Sequence, residues 1–386
     1  MNAQRTIPFT RPSLGAREAE YVAEALRNRQ IQGDGPFTRK VHAWLESHLG
    51  CARALLTHSC TGALEMAALL ADLKPGDEVI LPSYTFVSTA TAFALRGAVP
   101  VFVDIRPDTL NIDEKRIEAA ITPRTRAIVP VHYAGVGCAM GPILELAAAH
   151  GLLVIEDAAQ GLCASYEGRP LGTIGQLGCL SFHETKNVVA GEGGALIIND
   201  PALVERAEII RQKGTNRTKF LRGESDKYFW LDIGSSYLPS DLVAAVLLAQ
   251  LEAAEAITAR RLALWQRYYD AFAEMERLGR ARRPRVPNGA AHNAHIFYLL
   301  LPTAAERDAM LRRLKQRGIH ASAHYMALHD SPGGRRFART AGSLENAESL
   351  PGRILRLPLY ADLTTEEQDY VIDCVTAPVE AFRATA

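Results

Sequence analysis

Short apolar runs punctuate the first half of the chain, at 54–57, 78–81, 99–103, 127–131, 152–156, 179–182 and 195–198. Several are continuous rather than alternating, the pattern of strands covered on both faces. Between them, apolar residues recur at helical spacing over 62–73, 113–120 and 140–150. Strand–helix alternation of this kind predicts an α/β fold, a mostly parallel central sheet with helices on both faces. Ligands of such sheets bind beyond the carboxyl ends of the strands, so the residues just after each run carry the most interest.

From Pro239-Ser240-Asp241, a helix start with Ser240 or Asp241 as cap, a helical pattern continues with interruptions to Gly279. Leu262, Trp265, Tyr269 and Phe272 give it one apolar face. The tail offers strands at 295–301, 320–325 and 354–357 and a helix at 304–317, a smaller C-terminal α+β unit. The expected division is a large α/β domain over 1–250 and a small domain over 251–386.

A length of 386 residues supports two such cores. Lys plus Arg equals Asp plus Glu at 43 each, so no global field favours nucleic acid or an anionic membrane. An anionic substrate therefore needs a local pocket. No stretch approaches the roughly 20 apolar residues of a membrane span, and the first residues lack a signal-peptide pattern. A cytoplasmic protein is expected. The six cysteines are scattered without a CxxC pair, which argues against a metal site or a disulfide framework.

The chemistry concentrates at four strand ends. In Ser181-Phe182-His183-Glu184-Thr185-Lys186-Asn187 a strand ends near Phe182, and Lys186 precedes the turn Gly191-Glu192-Gly193-Gly194. A lysine at a turn is ordinarily solvated. Near a buried strand end, desolvation favours its neutral amine, the form that condenses with an aldehyde such as that of pyridoxal phosphate (PLP). Asp157 follows the run 152–156 and so projects from the same sheet edge, where a carboxylate suits a protonated pyridine nitrogen. Its plain alternative is a helix cap. Gln160, one turn on, suits the ring's phenolate oxygen. Ser59-Cys60-Thr61-Gly62 opens a helix after the first run, an arrangement that binds phosphate or merely caps a helix. Ser181 adds a hydroxyl. In Pro82-Ser83-Tyr84-Thr85-Phe86, Phe86 rather than Tyr84 is the aromatic expected on the ring face.

Taken together, these motifs resemble the sugar-nucleotide branch of the fold-type-I aminotransferases, the DegT/DnrJ/EryC1/StrS family. The likeness runs from about Ile7 to about Leu363. The resemblance implies a PLP-dependent fold type I aminotransferase with Lys186 as Schiff-base lysine and Asp157 as pyridinium partner. It further implies phosphate contacts from Thr61, Gly62 and Ser181, a stacking ring at Phe86 and a phenolate-side contact from Gln160. Within the family, Leu-Thr-His-Ser-Cys-Thr, Val-His-Tyr-Ala-Gly-Val and Arg-Gln-Lys-Gly-Thr-Asn-Arg are most similar to the branch that makes dTDP-4-amino-4,6-dideoxygalactose for enterobacterial common antigen. The implied reaction moves the amino group of glutamate to the C4 ketone of dTDP-4-dehydro-6-deoxyglucose, with pyridoxamine phosphate between the half-reactions and 2-oxoglutarate released.

Segment 324–329 resembles a substrate-side segment, which makes Tyr325 and His329 candidates for the sugar or its diphosphate. Arg211, Lys213 and Arg217 are either a diphosphate contact or a solvated face. The resemblance also implies a homodimer with shared active sites. One departure stands out: relatives carry an asparagine after the tyrosine that here is Tyr237, and Leu238 occupies that place, leaving Ser235 or Ser236 to replace an intersubunit phosphate contact. A pyridoxamine-dependent dehydratase on this scaffold would carry histidine at position 186. A non-catalytic relative would lack Lys186 or Asp157, and both are present.

Overall fold

A computed structural model describes residues 6–377. Its main strands, in chain order, are β1 (Arg53–Thr57), β2 (Glu78–Pro82), β3 (Val99–Val103), β4 (Thr125–Ile128), β5 (Leu153–Asp157), β6 (Leu177–Ser181), β7 (Gly194–Ile198), β8 (Tyr298–Leu300), β9 (Arg339–Thr340) and β10 (Ile354–Arg356). Eight of them form one sheet in the order β1-β7-β6-β5-β4-β2-β3-β9. All pair in parallel except at β7, which runs against both β1 and β6. Strands β8 and β10 pair antiparallel in a separate ribbon.

Side chains alternate across a strand, so one strand feeds two cores. Leu56, Ile80, Val101, Val154 and Ile197 join one apolar cluster with the helices Pro36–Leu49, Met140–His150 and Asp241–Glu252. Their neighbours Leu55, Val79, Phe102, Ile155 and Leu196 join the other, under the helix Cys60–Leu70. Helices therefore cover both faces, which is why the strands read as continuous apolar runs. A third cluster is built by Leu264, Trp265, Tyr268, Phe297, Leu355 and Val371. The chain crosses the expected division at 250/251 in both directions: Ile7 joins this third core, bridging Ile319, while β9 extends the large sheet beside β3.

Two local expectations need correction. Segment 113–120 forms two 3-10 turns, Glu114–Arg116 and Glu118–Ala120, because only Ile117 and Ala120 are buried there, too little to pack an α-helix. Segment 320–325 is no strand; only Ser322 pairs, with Arg356, before the chain turns to the cavity described below. The interrupted helical pattern over 239–279 is found as Asp241–Glu252, Ala254–Ala271 and Ala273–Arg277. Two N-terminal helices, Ala16–Asn28 and Pro36–Leu49, were not anticipated. Ser240 is the cap, accepting the Val243 N–H at 3.4 Å. Asp241 is buried and serves another helix, accepting the Phe37 and Thr38 N–H groups at 3.1 and 2.8 Å. Gly35 makes room for it, since a Cβ there would lie 2.4 Å from Asp241 Cγ. Among the described residues no single helix is long and apolar enough to cross a membrane.

Candidate active site

A cavity of about 490 Å³ opens at the carboxyl ends of β1, β2, β5 and β6, and its far wall comes from the C-terminal unit. On the sheet side, β1 runs into the helix Cys60–Leu70 through Ser59, whose Oγ accepts the Gly62 N–H at 3.1 Å. Thr61 Oγ1 lies 2.8 Å from Ser88 Oγ, and Thr61, Ser88 and Ser181 all line the cavity. Gly62 does not line it. Its missing side chain admits His58 and Tyr237, which a Cβ would approach to 3.1 and 3.2 Å.

Asp157 closes β5 at 5% exposure. Thr89 Oγ1 donates to its Oδ2 at 2.7 Å and the Ala159 N–H to its Oδ1 at 3.1 Å. No Lys, Arg or His among the described residues forms an ion pair with it. Gln160 is fixed at its oxygen, which accepts the Ala134 N–H at 2.7 Å, and its Nε2 donates to Tyr325 OH at 3.3 Å. Phe86 lines the cavity with 55% exposure, its ring 6.0 Å from that of Tyr325. Tyr84 is buried elsewhere, its hydroxyl held by Tyr133 OH and the His324 carbonyl. Of the two rings, that of Phe86 lines the cavity and that of Tyr84 does not.

Lys186 sits on the connection between β6 and β7. Both ends of that connection are tied: the Phe182 N–H donates to Gly193 O at 2.8 Å and the Glu184 N–H to Gly191 O at 2.9 Å. The amine projects into the cavity without a hydrogen-bond or ion-pair partner among the described residues. Its pKa is lowered, chiefly by loss of water, with the Arg356 cation adding to this and Asp157 opposing it. Lys186 and the buried Asp157 thus line one cavity.

Two candidate residues lie outside the cavity. His329 Nδ1 is 2.6 Å from Ser83 Oγ and its Nε2 3.4 Å from Glu348, so its ring packs behind the β2 end, outside the cavity. Arg211 is neither solvated nor in the cavity; it is buried, donating to Leu56 O and Asp34 Oδ1 at 2.7 Å each. Tyr325 does line the cavity. Sequence reasoning missed Thr89, Ser88, Arg261 and Arg356. The signal for Arg356 was a cation inside the apolar run Leu355-Arg356-Leu357, and for Arg261 its place one turn before Trp265 on a buried helix face.

Residues 12–376 match the model of the DegT/DnrJ/EryC1/StrS aminotransferase family. The spore coat polysaccharide biosynthesis protein SpsC of Bacillus subtilis is 34% identical over 377 residues, covering 96% of each chain. The aminotransferase TlmJ of Streptoalloteichus hindustanus superposes with a TM-score of 0.89 at 32% identity, over 98% of this chain and 100% of that one. Spr1654 of Streptococcus pneumoniae, solved in PLP and PMP forms, superposes with TM-scores of 0.87 and 0.88 at 25% identity over 96% of this chain; the overlap covers 97% and 96% of those chains. The chain belongs to the DegT/DnrJ/EryC1/StrS family and is a PLP-dependent sugar aminotransferase.

Proposed function

We propose that this cavity transfers the amino group of glutamate to the C4 ketone of dTDP-4-dehydro-6-deoxyglucose, giving dTDP-4-amino-4,6-dideoxygalactose and 2-oxoglutarate. The observation that carries the reading is the unpartnered Lys186 amine sharing a cavity with a buried Asp157 that has no cationic partner. The residues present fit pyridoxal phosphate: an amine for its aldehyde, a carboxylate for its ring nitrogen, and hydroxyls at a helix start for its phosphate. When bound, the cofactor supplies an electrophilic carbon and an electron-withdrawing ring.

Each residue then has a task. Thr61, Ser88 and Ser181 hold the phosphate beside the amide end of the helix Cys60–Leu70. Gly62 keeps that turn in shape by leaving room for His58 and Tyr237. Asp157 keeps a proton on the ring nitrogen, and Thr89 orients Asp157. Phe86 would cover the ring, Gln160 Nε2, now bonded to Tyr325 OH, would serve its oxygen, and Tyr325 would border the sugar. Lys186, whose hold on its proton is weakened by burial, would take the proton from the donor's α-carbon and return it one carbon away; for the sugar it would run the same transfer in reverse.

The choice of sugar is supported by the motifs at 56–61, 131–136 and 211–217. On this reading residues 1–250 carry the cofactor, residues 251–386 close over the substrates, and two copies complete each other's sites. The test is to incubate the protein with glutamate and a panel of 3-keto and 4-keto nucleotide sugars and assign the product by NMR. Amination of dTDP-4-dehydro-6-deoxyglucose to the galacto product is expected; exclusive use of another keto sugar would replace the substrate. Lys186→Ala removes the borohydride-sensitive yellow absorbance and turnover together. Retained turnover in that variant would sink the aminotransferase assignment of the site.

A further inference from the structure

The backbone around Lys186 is tied differently on its two sides. Its own N–H donates to His183 O at 2.9 Å, inside the connection between β6 and β7. Past it the ties reach outside that connection: the Asn187 side chain goes to the C-terminal unit, and the Val189 N–H to Gln250 Oε1 at 3.3 Å. Asn187 Nδ2 donates to Asn293 O at 2.8 Å, and its Oδ1 lies 3.0 Å from His295 Nδ1. A carbonyl oxygen faces one end of this amide, so the nitrogen lies there and the oxygen points toward His295. His295 therefore carries a proton on Nδ1 and donates it. Burial first, then the charges of Lys186, Arg261 and Arg356, hold this ring well below the ordinary histidine pKa, so Nδ1 keeps the only proton.

The far end of the contact is rigid. Asn293 is 2% exposed and both ends of its side chain are bonded. Its Nδ2 donates to the carbonyls of Gln160 and Leu162 at 2.7 and 2.8 Å, and its Oδ1 accepts the His295 N–H at 3.0 Å. Gly135, at φ 74°, makes room for it, since a Cβ there would lie 1.9 Å from Asn293 Oδ1. Arg261, on the helix Ala254–Ala271, braces the next two residues by donating to the carbonyls of Ala294 and His295 at 3.2 and 2.9 Å. The segment that Asn293 grips is the one that leaves Asp157, whose Oδ1 accepts the Ala159 N–H. Lysine segment and carboxylate segment are thus fastened to one residue that belongs to neither.

A lysine side chain turns about four bonds, and this amine has no hydrogen-bond or ion-pair partner among the described residues, so its place depends on how its backbone is held. A displacement of about 1 Å at a reacting atom costs about a hundredfold in rate. We propose that Asn187, clamped between Asn293 and His295, is a positioning residue that sets the Lys186 amine at the distance from Asp157 that the cofactor requires. The proposal rests on the reading of Lys186 as the cofactor's attachment point. Asn187 does not line the cavity, so it acts through its neighbour.

Cofactor-free protein is mixed with PLP, and the borohydride-sensitive yellow absorbance is followed as the amine nitrogen replaces the aldehyde oxygen and water leaves. Pyridoxamine phosphate, with the same ring and phosphate but no aldehyde, is titrated in parallel. Asn187→Ala is expected to slow attachment about tenfold or more and to bind pyridoxamine phosphate within about twofold of the parent. His295→Phe should be slow in the same way. His295→Asn, whose amide nitrogen can stand where Nδ1 stood, should recover most of the rate.

Attachment at the parent rate in Asn187→Ala overturns the proposal. So does an equal fall in attachment and in pyridoxamine phosphate binding, or a variant that does not fold, since Asn187 would then serve packing alone. His295→Asn as slow as His295→Phe likewise overturns it. A parent in which borohydride fixes the cofactor on a lysine other than Lys186, read by peptide mass, would refute the reading underneath. Fixation on Lys186 at unchanged speed in every variant would sink this inference alone.

Discussion

Asp157 shows how a single side chain is prepared before any ligand arrives. Its two oxygens are aimed by Thr89 and by the Ala159 amide, and Thr89 Oγ1 is itself 2.8 Å from Thr85 Oγ1. Thr89→Val preserves volume and removes the donor. Loss of one hydrogen bond to a charged acceptor, about 1.5–3 kcal/mol, should lower kcat about tenfold or more while KM for the sugar stays near its parent value. Thr89→Ser should restore it; steady-state kinetics with dialysis to follow cofactor loss will check both. Lys186 and Asp157 were legible because each follows a recognisable strand. Thr89 was not, since a threonine inside a short helix carries no pattern that distinguishes it. His329 lay in a recognisable segment, yet a hydrogen bond to Ser83 decides where its ring goes, and no local spacing encodes that contact.

At the scale of elements, apolar runs located all seven strands that the first 200 residues contribute to the large sheet, because burial on both faces leaves little choice of residue. The helix Met140–His150 was bounded correctly by its αL Gly151. Strand β9 was invisible. Two residues long, it holds its place through a charge: Glu78, at the start of β2, accepts Arg339 Nη2 at 2.6 Å and Thr122 Oγ1 at 2.8 Å, with Arg124 also paired. Burial acts to raise the Glu78 pKa, and these bonds outweigh it, bringing it from 4.5 to about 2. A depressed carboxyl stabilises the fold fully above its unfolded value and loses that contribution as pH falls from 4.5 towards 2. Glu78→Gln should therefore cost about 2 kcal/mol at pH 7, after discounting the exposed Arg124, and progressively less as the medium is acidified. Urea unfolding at pH 7 and at pH 3 will measure the narrowing gap.

For the whole molecule, composition and alternation indicated an α/β fold with helices on both faces, and the eight-stranded sheet agrees. What they left out is how the ends of the chain interleave, with Ile7 in the C-terminal core and Arg339–Thr340 in the large sheet. Long-range pairings of this kind leave no periodic trace. The surface adds one expectation. Leu221, Phe229, Trp230, Leu231 and Ile233 are exposed in one stretch, Trp230 at 81%, more apolar surface than isolated side chains require. The protein should sediment at twice the chain mass, and Trp230→Glu should shift it toward the single chain. A single-chain parent at micromolar concentration would contradict the shared-site arrangement.

The one reversed strand also bears on how the chain is made. In the finished sheet β1 touches a single neighbour, β7, which is translated 136 residues after β1 ends. Until residue 198 has left the ribosome, β1 has no sheet partner to dock on, and its bare edge is open to any passing chain. The lysine-bearing connection emerges just before that closure. A nascent chain truncated ahead of β7 should therefore be a client for chaperones, and the reactive amine cannot reach its final setting before that gap in the sheet is filled.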